Sequence, residues 1–169
     1  MSSADVLIDA FGRVREVVHD AVDGLGPDDL AYQIAEGTNS IAWLVWHLTR
    51  IQDDHLAGVS GDEQVWTARG WVDRFGLPFD RLATGYGDSA DEVAAVRVKS
   101  GELLTGYHDE VYEQTVRYVR TLTDDDLPRI VDERWDPPVT LGVRLVSVIS
   151  DDLQHAGQAM FVRGLLLRR

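Results

Sequence analysis

Apolar residues recur at three- and four-residue spacing at Leu7, Ala10, Val14, Val17, Val18 and Ala21, which predicts an amphipathic helix over residues 4 to 23. Gly24 and Gly26-Pro27 stop that pattern. After a loop around Pro27 to Gly37, Asn39 or Ser40 can cap a second helix from Ile41 to about Leu56. Its first two turns are apolar nearly all round, so this helix is expected to start buried at the centre. Ser89 and Glu92 form a capping box that predicts one long third helix to about Leu122, with Val93, Val96, Leu103, Leu104, Tyr107, Val111 and Tyr118 turned inward. Thr140 then caps a fourth predicted helix running to about Leu167. The pattern is all-α, a four-helix bundle with no convincing strand pair. Its connections are longer than tight turns, which leaves room for a crossover. Residues 58 to 87 are rich in glycine and aromatics (Trp66, Trp71, Phe75, Phe79, Tyr86), and a structureless loop of that length is unusual in a compact domain. Short helical turns that cover something are expected there.

A chain of 169 residues suits one domain over residues 1 to 169 and can bury a core without staples. No segment approaches the ~20 apolar residues of a membrane span, and the N-terminus lacks a basic region followed by an apolar one, so a soluble cytoplasmic protein is expected. Sixteen basic and twenty-nine acidic side chains give a formal charge of -13, which disfavours nucleic acid and anionic lipid as partners. The chain has no cysteine. That excludes disulfides and thiolate metal sites, leaves nitrogen and oxygen as the available ligands, and requires any thiol chemistry to use an external thiol.

Polar residues inside the apolar helices carry the candidate chemistry. Of the five histidines, His19 reads as solvated, His55 as a rim residue and His108 as a satisfied helix-edge residue. His47, in I-A-W-L-V-W-H-L-T-R, and His155, in S-D-D-L-Q-H-A-G-Q, each lie deep in an apolar helix. Asp151 stands one turn before His155, so both are expected on one helix face beside Val148 and Val162. Two imidazoles and a carboxylate suit an N/N/O set that holds a divalent metal and leaves positions open. A core histidine paired with a carboxylate produces the same pattern, so both readings stand on the residues alone. Asp152 also has same-face spacing to His155, but only one D-x-x-H is present, which argues against a dinuclear site. No P-loop, Rossmann, G-x-S-x-G or H-E-x-x-H motif occurs.

The pair N-S-I-A-W-L-V-W-H-L-T-R (Asn39 to Arg50) and D-D-L-Q-H-A-G-Q (Asp151 to Gln158) resembles the DinB-like superfamily, in particular its branch related to mycothiol-dependent maleylpyruvate isomerase. The resemblance covers essentially the whole chain. It implies an up-down-down-up bundle with a divalent metal, commonly zinc or nickel, on His47, Asp151 and His155, and a homodimer. The first helix-four position is usually His or Glu in that family, so Asp151 shortens the ligand by one methylene, and Gln158 stands where many relatives have a further histidine. Enzymes of the superfamily use the metal to bind mycothiol or bacillithiol and lower the thiol's pKa for attack on an electrophile. The isomerase carries an additional C-terminal domain, so S-transfer to another small electrophile is the expected reaction. The alternatives are a metal-dependent hydrolase, in which the metal activates water, and a non-catalytic ligand-binding or dimerisation bundle.

Overall fold

Ser2 opens α1 (Ser3–Val22) with a reciprocal box: its hydroxyl accepts from the Asp5 amide while the Asp5 carboxylate accepts from the Ser2 amide. The computed structural model describes residues 1–168. In it, α2 (Pro27–Leu30) is a single turn, and Ser40 caps α3 (Ile41–Ser60), its Oγ accepting from the Trp43 amide. Gly61 ends α3 at φ 82°, a conformation costly for residues with a Cβ. The glycine- and aromatic-rich stretch holds two short helices, α4 (Val65–Ala68) and α5 (Trp71–Phe75).

The expected long third helix is two helices. The Ser89/Glu92 box does form, but it opens only α6 (Ala90–Ala95), and α7 (Gly101–Val119) starts afresh. Between them Val96 and Val98 are both buried while Arg97 is exposed, and two residues so spaced reach one side only from extended backbone. Gly101 begins α7 against Val22, where a Cβ would collide with the valine side chain. The last long helix, α8 (Leu141–Leu166), is capped by Thr140 as expected. Contrary to the sequence pattern, a small antiparallel pair exists: β1 (Ile130–Asp132) and β2 (Val139–Thr140). Three and two residues are too few to register as a period.

Side-chain contacts fix the helix directions. Thr49 meets His108 and Gln52 meets Thr115, so α3 and α7 run parallel. His47 lies beside His155 and His55 beside Arg144, so α3 and α8 are antiparallel. Asp109 takes Arg15 and His19, Gly12 faces Tyr112, and α1 and α7 are antiparallel. The order is up-down-down-up, as the resemblance to the DinB-like superfamily implies. Two apolar clusters fill it, one around Leu7, Phe11, Leu56, Val119, Leu145 and Val148, the other around Val18, Leu44, Trp46, Trp66, Tyr107 and Ala156. Between them lies a buried polar layer of Thr49, Gln52, Thr115 and Asp152.

A second polar group fastens residues 61–88 over α3 and α7. Asp53, 1 % exposed, accepts from the amides of Val65 (2.9 Å) and Trp66 (2.8 Å) and from the Tyr107 hydroxyl (2.7 Å). Arg50, fully buried, donates to the Ala83 carbonyl at 3.0 Å and lies 3.5 Å from Asp53. The buried charges are thus compensated, and the loop is laid across His47.

Candidate metal centre

His47 is held from three sides. Trp43, one turn earlier on α3, stacks on the imidazole at 4.5 Å between centroids with 14° between planes. The indole is in turn anchored by its N–H to Asp88 at 2.9 Å. Nδ1 lies 2.6 Å from the Thr84 carbonyl, which can only accept, so Nδ1 carries the proton and Nε2 presents a lone pair. Gly85, at φ 88°, lets the backbone come this close: a Cβ there would stand 2.7 Å from Nδ1. Burial holds the His47 pKa below the usual histidine value against the raising effect of the Thr84 carbonyl.

Asp151 and His155 face this ring from α8. His155 Nδ1 is 2.8 Å from the Asp151 carbonyl oxygen, which leaves its Nε2 free in the same manner. The two rings stand edge to face, 4.8 Å between centroids. One ligand atom from each of His47, Asp151 and His155 lies within 4.8 Å of the other two, and no other such group occurs among the described residues. Asp151 Oδ2 is buried without a hydrogen-bond partner, although His155 Nδ1 is 3.3 Å away as an ion-pair contact. That contact raises the His155 pKa and lowers that of Asp151.

The placement on α8 differs from the sequence expectation in one respect. Asp151 and His155 sit on the flank toward α3, partly exposed, and Asp152 occupies the apolar seam with Val148, Ala156 and Val162. Asp152 is fully buried with neither oxygen partnered, and burial, with the neighbouring Asp151 charge, drives its pKa well above the ordinary carboxylate value. Periodicity counted from Val148 allows either aspartate, since i+3 and i+4 both share a face. His108 also departs from expectation. It is completely buried rather than at a helix edge, with Nδ1 3.1 Å from Thr49 Oγ1 and Nε2 unpartnered. His19, half-exposed, pairs with Asp109 at 2.8 Å.

A cleft of about 330 Å³ opens onto His47 and Asp151, walled by Ile51, Val139 and Val148 and bordered by the exposed rings of Tyr86 and Trp135. A larger hollow of about 490 Å³ between the end of α1 and the start of α7 gathers acidic groups but no three converging donors. Trp43 had a usable signal in its four-residue spacing to His47, whereas Thr84 acts through its backbone and leaves none.

A crystal structure of a conserved protein from Enterococcus faecalis superposes with a TM-score of 0.93 at 26 % identity, covering 100 % of this chain and 99 % of that one. No protein of curated function matches the sequence. The model of the mycothiol-S-transferase family matches residues 6–167, and with essentially the whole chain so covered, the protein belongs to that family.

Proposed function

We propose that this protein transfers a low-molecular-weight thiol of the mycothiol type to a small electrophile, using a divalent metal, zinc or nickel, held by His47, Asp151 and His155. The observation that carries the reading is the convergence of two imidazoles with free Nε2 atoms on a buried carboxylate oxygen that no donor satisfies. An N/N/O set of this kind fits a divalent cation and leaves coordination positions open toward the cleft. When bound, the metal supplies Lewis acidity that lowers the pKa of a thiol.

The chain's own residues do the rest. Thr84 and Trp43 fix the His47 ring, the Asp151 carbonyl fixes that of His155, and the apolar cleft wall limits water around the reacting atoms. The thiol sulfur forms a C–S bond to the electrophilic carbon. In a substitution the leaving group departs with its bonding pair and the thiol proton passes to solvent; in an addition that proton ends on the neighbouring carbon. The absence of cysteine agrees with a nucleophile brought from outside.

The protein is further proposed to act in the cytoplasm as a homodimer. No helix among the described residues is long and apolar enough to cross a membrane. The outer face of α8 exposes Val143, Val146, Leu153, Met160 and Phe161 at helical spacing, a stripe suited to a second copy.

Elemental analysis of the wild type and of His47→Ala, Asp151→Ala and His155→Ala tests the site. One metal per chain in the wild type and loss in each variant is expected, together with mycothiol-dependent consumption of 1-chloro-2,4-dinitrobenzene. A protein that takes up neither zinc nor nickel refutes the metal reading, and turnover without any thiol favours hydrolysis instead.

A further inference from the structure

The cleft that reaches His47 and Asp151 at one end has Arg144 and His55 at the other. Arg144 precedes Asp151 by seven residues on α8, two turns or about 10 Å along the axis. Its side chain is 16 % exposed, and two contacts hold it. Nη1 donates to His55 Nδ1 at 2.7 Å, and Nη2 donates to Asp132 Oδ2 at 3.0 Å. A guanidinium carries five N–H donors. The remaining three meet no acceptor among the described residues.

Because a guanidinium can only donate, His55 Nδ1 accepts, so the ring is neutral with its proton on Nε2. That Nε2–H has no protein partner and belongs to a residue lining the same cleft. Asp132 does not cancel Arg144. The same carboxylate is taken by Arg134, from Nε at 2.9 Å and Nη2 at 2.8 Å, so two cations share one anion. These three side chains sum to one positive charge, while Asp54 and Asp151 also act on the His55 imidazole, so Arg144 is the cation that faces the cleft. An arginine fixed in orientation with spare donors, beside a neutral imidazole donor, is suited to a planar carboxylate.

Resting on the transferase reading above, we infer that Arg144 and His55 form an anion subsite, and that this protein prefers electrophiles that carry a carboxylate over those that do not. The carboxylate sits at Arg144 and the reacting carbon lies toward His47 and Asp151, with Ile51, Val139 and Val148 between them. Charge at one end and reactivity at the other set the length of substrate that reacts.

Calorimetric titration with benzoate and with its neutral counterpart benzamide tests the subsite, on protein as purified and after removal of metal by a chelator. Benzoate is expected to bind in both states, about tenfold or more tighter than benzamide, and Arg144→Gln is expected to remove that preference. Arg144→Lys, which keeps the charge and loses the fork, should fall between. Both variants leave Asp132 paired with Arg134, and a thermal melt reports their folding. Equal binding of the two probes by the wild type overturns the inference. So does benzoate binding that survives Arg144→Gln and disappears with the metal, because the carboxylate is then on the metal. These readouts involve no turnover, so a protein without thiol transferase activity would refute the functional reading while the subsite is decided separately.

Discussion

Replacing Gly85 by alanine is the sharpest test of how His47 is positioned, because a neighbouring glycine supplies the control. Gly85 and Gly87 both adopt positive φ, 88° and 79°. A Cβ on either suffers the same backbone penalty, roughly 1–2 kcal/mol. Their surroundings differ completely. A Cβ at Gly85 would stand 2.7 Å from His47 Nδ1 and 3.0 Å from Trp46 Cζ3, whereas nothing lies within 4 Å of one at Gly87. In Gly85→Ala the imidazole or the loop must move, and the 2.6 Å contact with the Thr84 carbonyl is lost. Loss of such a supporting partner lowers metal affinity by roughly 10–100-fold, about 1.4–2.7 kcal/mol. Competition with a chromophoric chelator measures that affinity, and urea unfolding measures the backbone penalty. Gly87→Ala should lose stability alone; Gly85→Ala should lose both. Equal metal affinity in the two variants would refute the claim that the Thr84–Gly85 backbone orients the His47 ring for a metal.

Other outcomes follow from the buried polar groups and the outer surface. Burial lowers the His108 pKa from 6.5 to about 4, so the unfolded chain binds the extra proton first and stability falls as pH drops through that window. Relative to His108→Gln, the wild type should lose about 3 kcal/mol between pH 7 and pH 4 in urea unfolding, and a parallel pH dependence would contradict this. Asp53→Ala strips two loop amides and leaves Arg50 buried without a counter-charge, so a loss of about 3–5 kcal/mol is expected in the same assay. Phe161→Glu combined with Leu153→Glu should convert a dimer to a monomer in sedimentation without changing the helical signal. Persistence of the dimer would exclude the α8 face.

The parts of the fold legible in sequence were those with many repeats of one period. The starts of α3 and α8 follow from Ser40 and Thr140 preceding long apolar stripes, and α1 follows from its stripe alone, its Ser2 cap appearing only in the structure. The break at Val96–Ser100 leaves no mark in the sequence pattern, because valines spaced by two sit comfortably inside a longer helical pattern when their neighbours also fit it. His47 and His155 were visible as imidazoles in apolar helices. Asp151 and Asp152 could not be told apart by seam or flank, since one helical step of 100° separates them and the width of the buried face exceeds it. Arg144 shares the cleft with Asp151, yet an arginine at a helix start has a ready solvent-exposed reading. Only the β1–β2 pair, which delivers Asp132, shows that it is held inward.

The bond from His47 to the Thr84 carbonyl makes the cover over the site and the imidazole beneath it one thermodynamic unit. Lifting residues 82–85 frees a ring to rotate, so any ion that prefers the fixed ring also disfavours the opening fluctuation, in proportion to its differential affinity. Amide hydrogens across this segment should therefore exchange more slowly when a cation is present, and Arg50, which grips the Ala83 carbonyl, adds to that protection whether or not one is. Traffic of small molecules is then left to the side bordered by Tyr86 and Trp135, where no buried charge has to be uncovered.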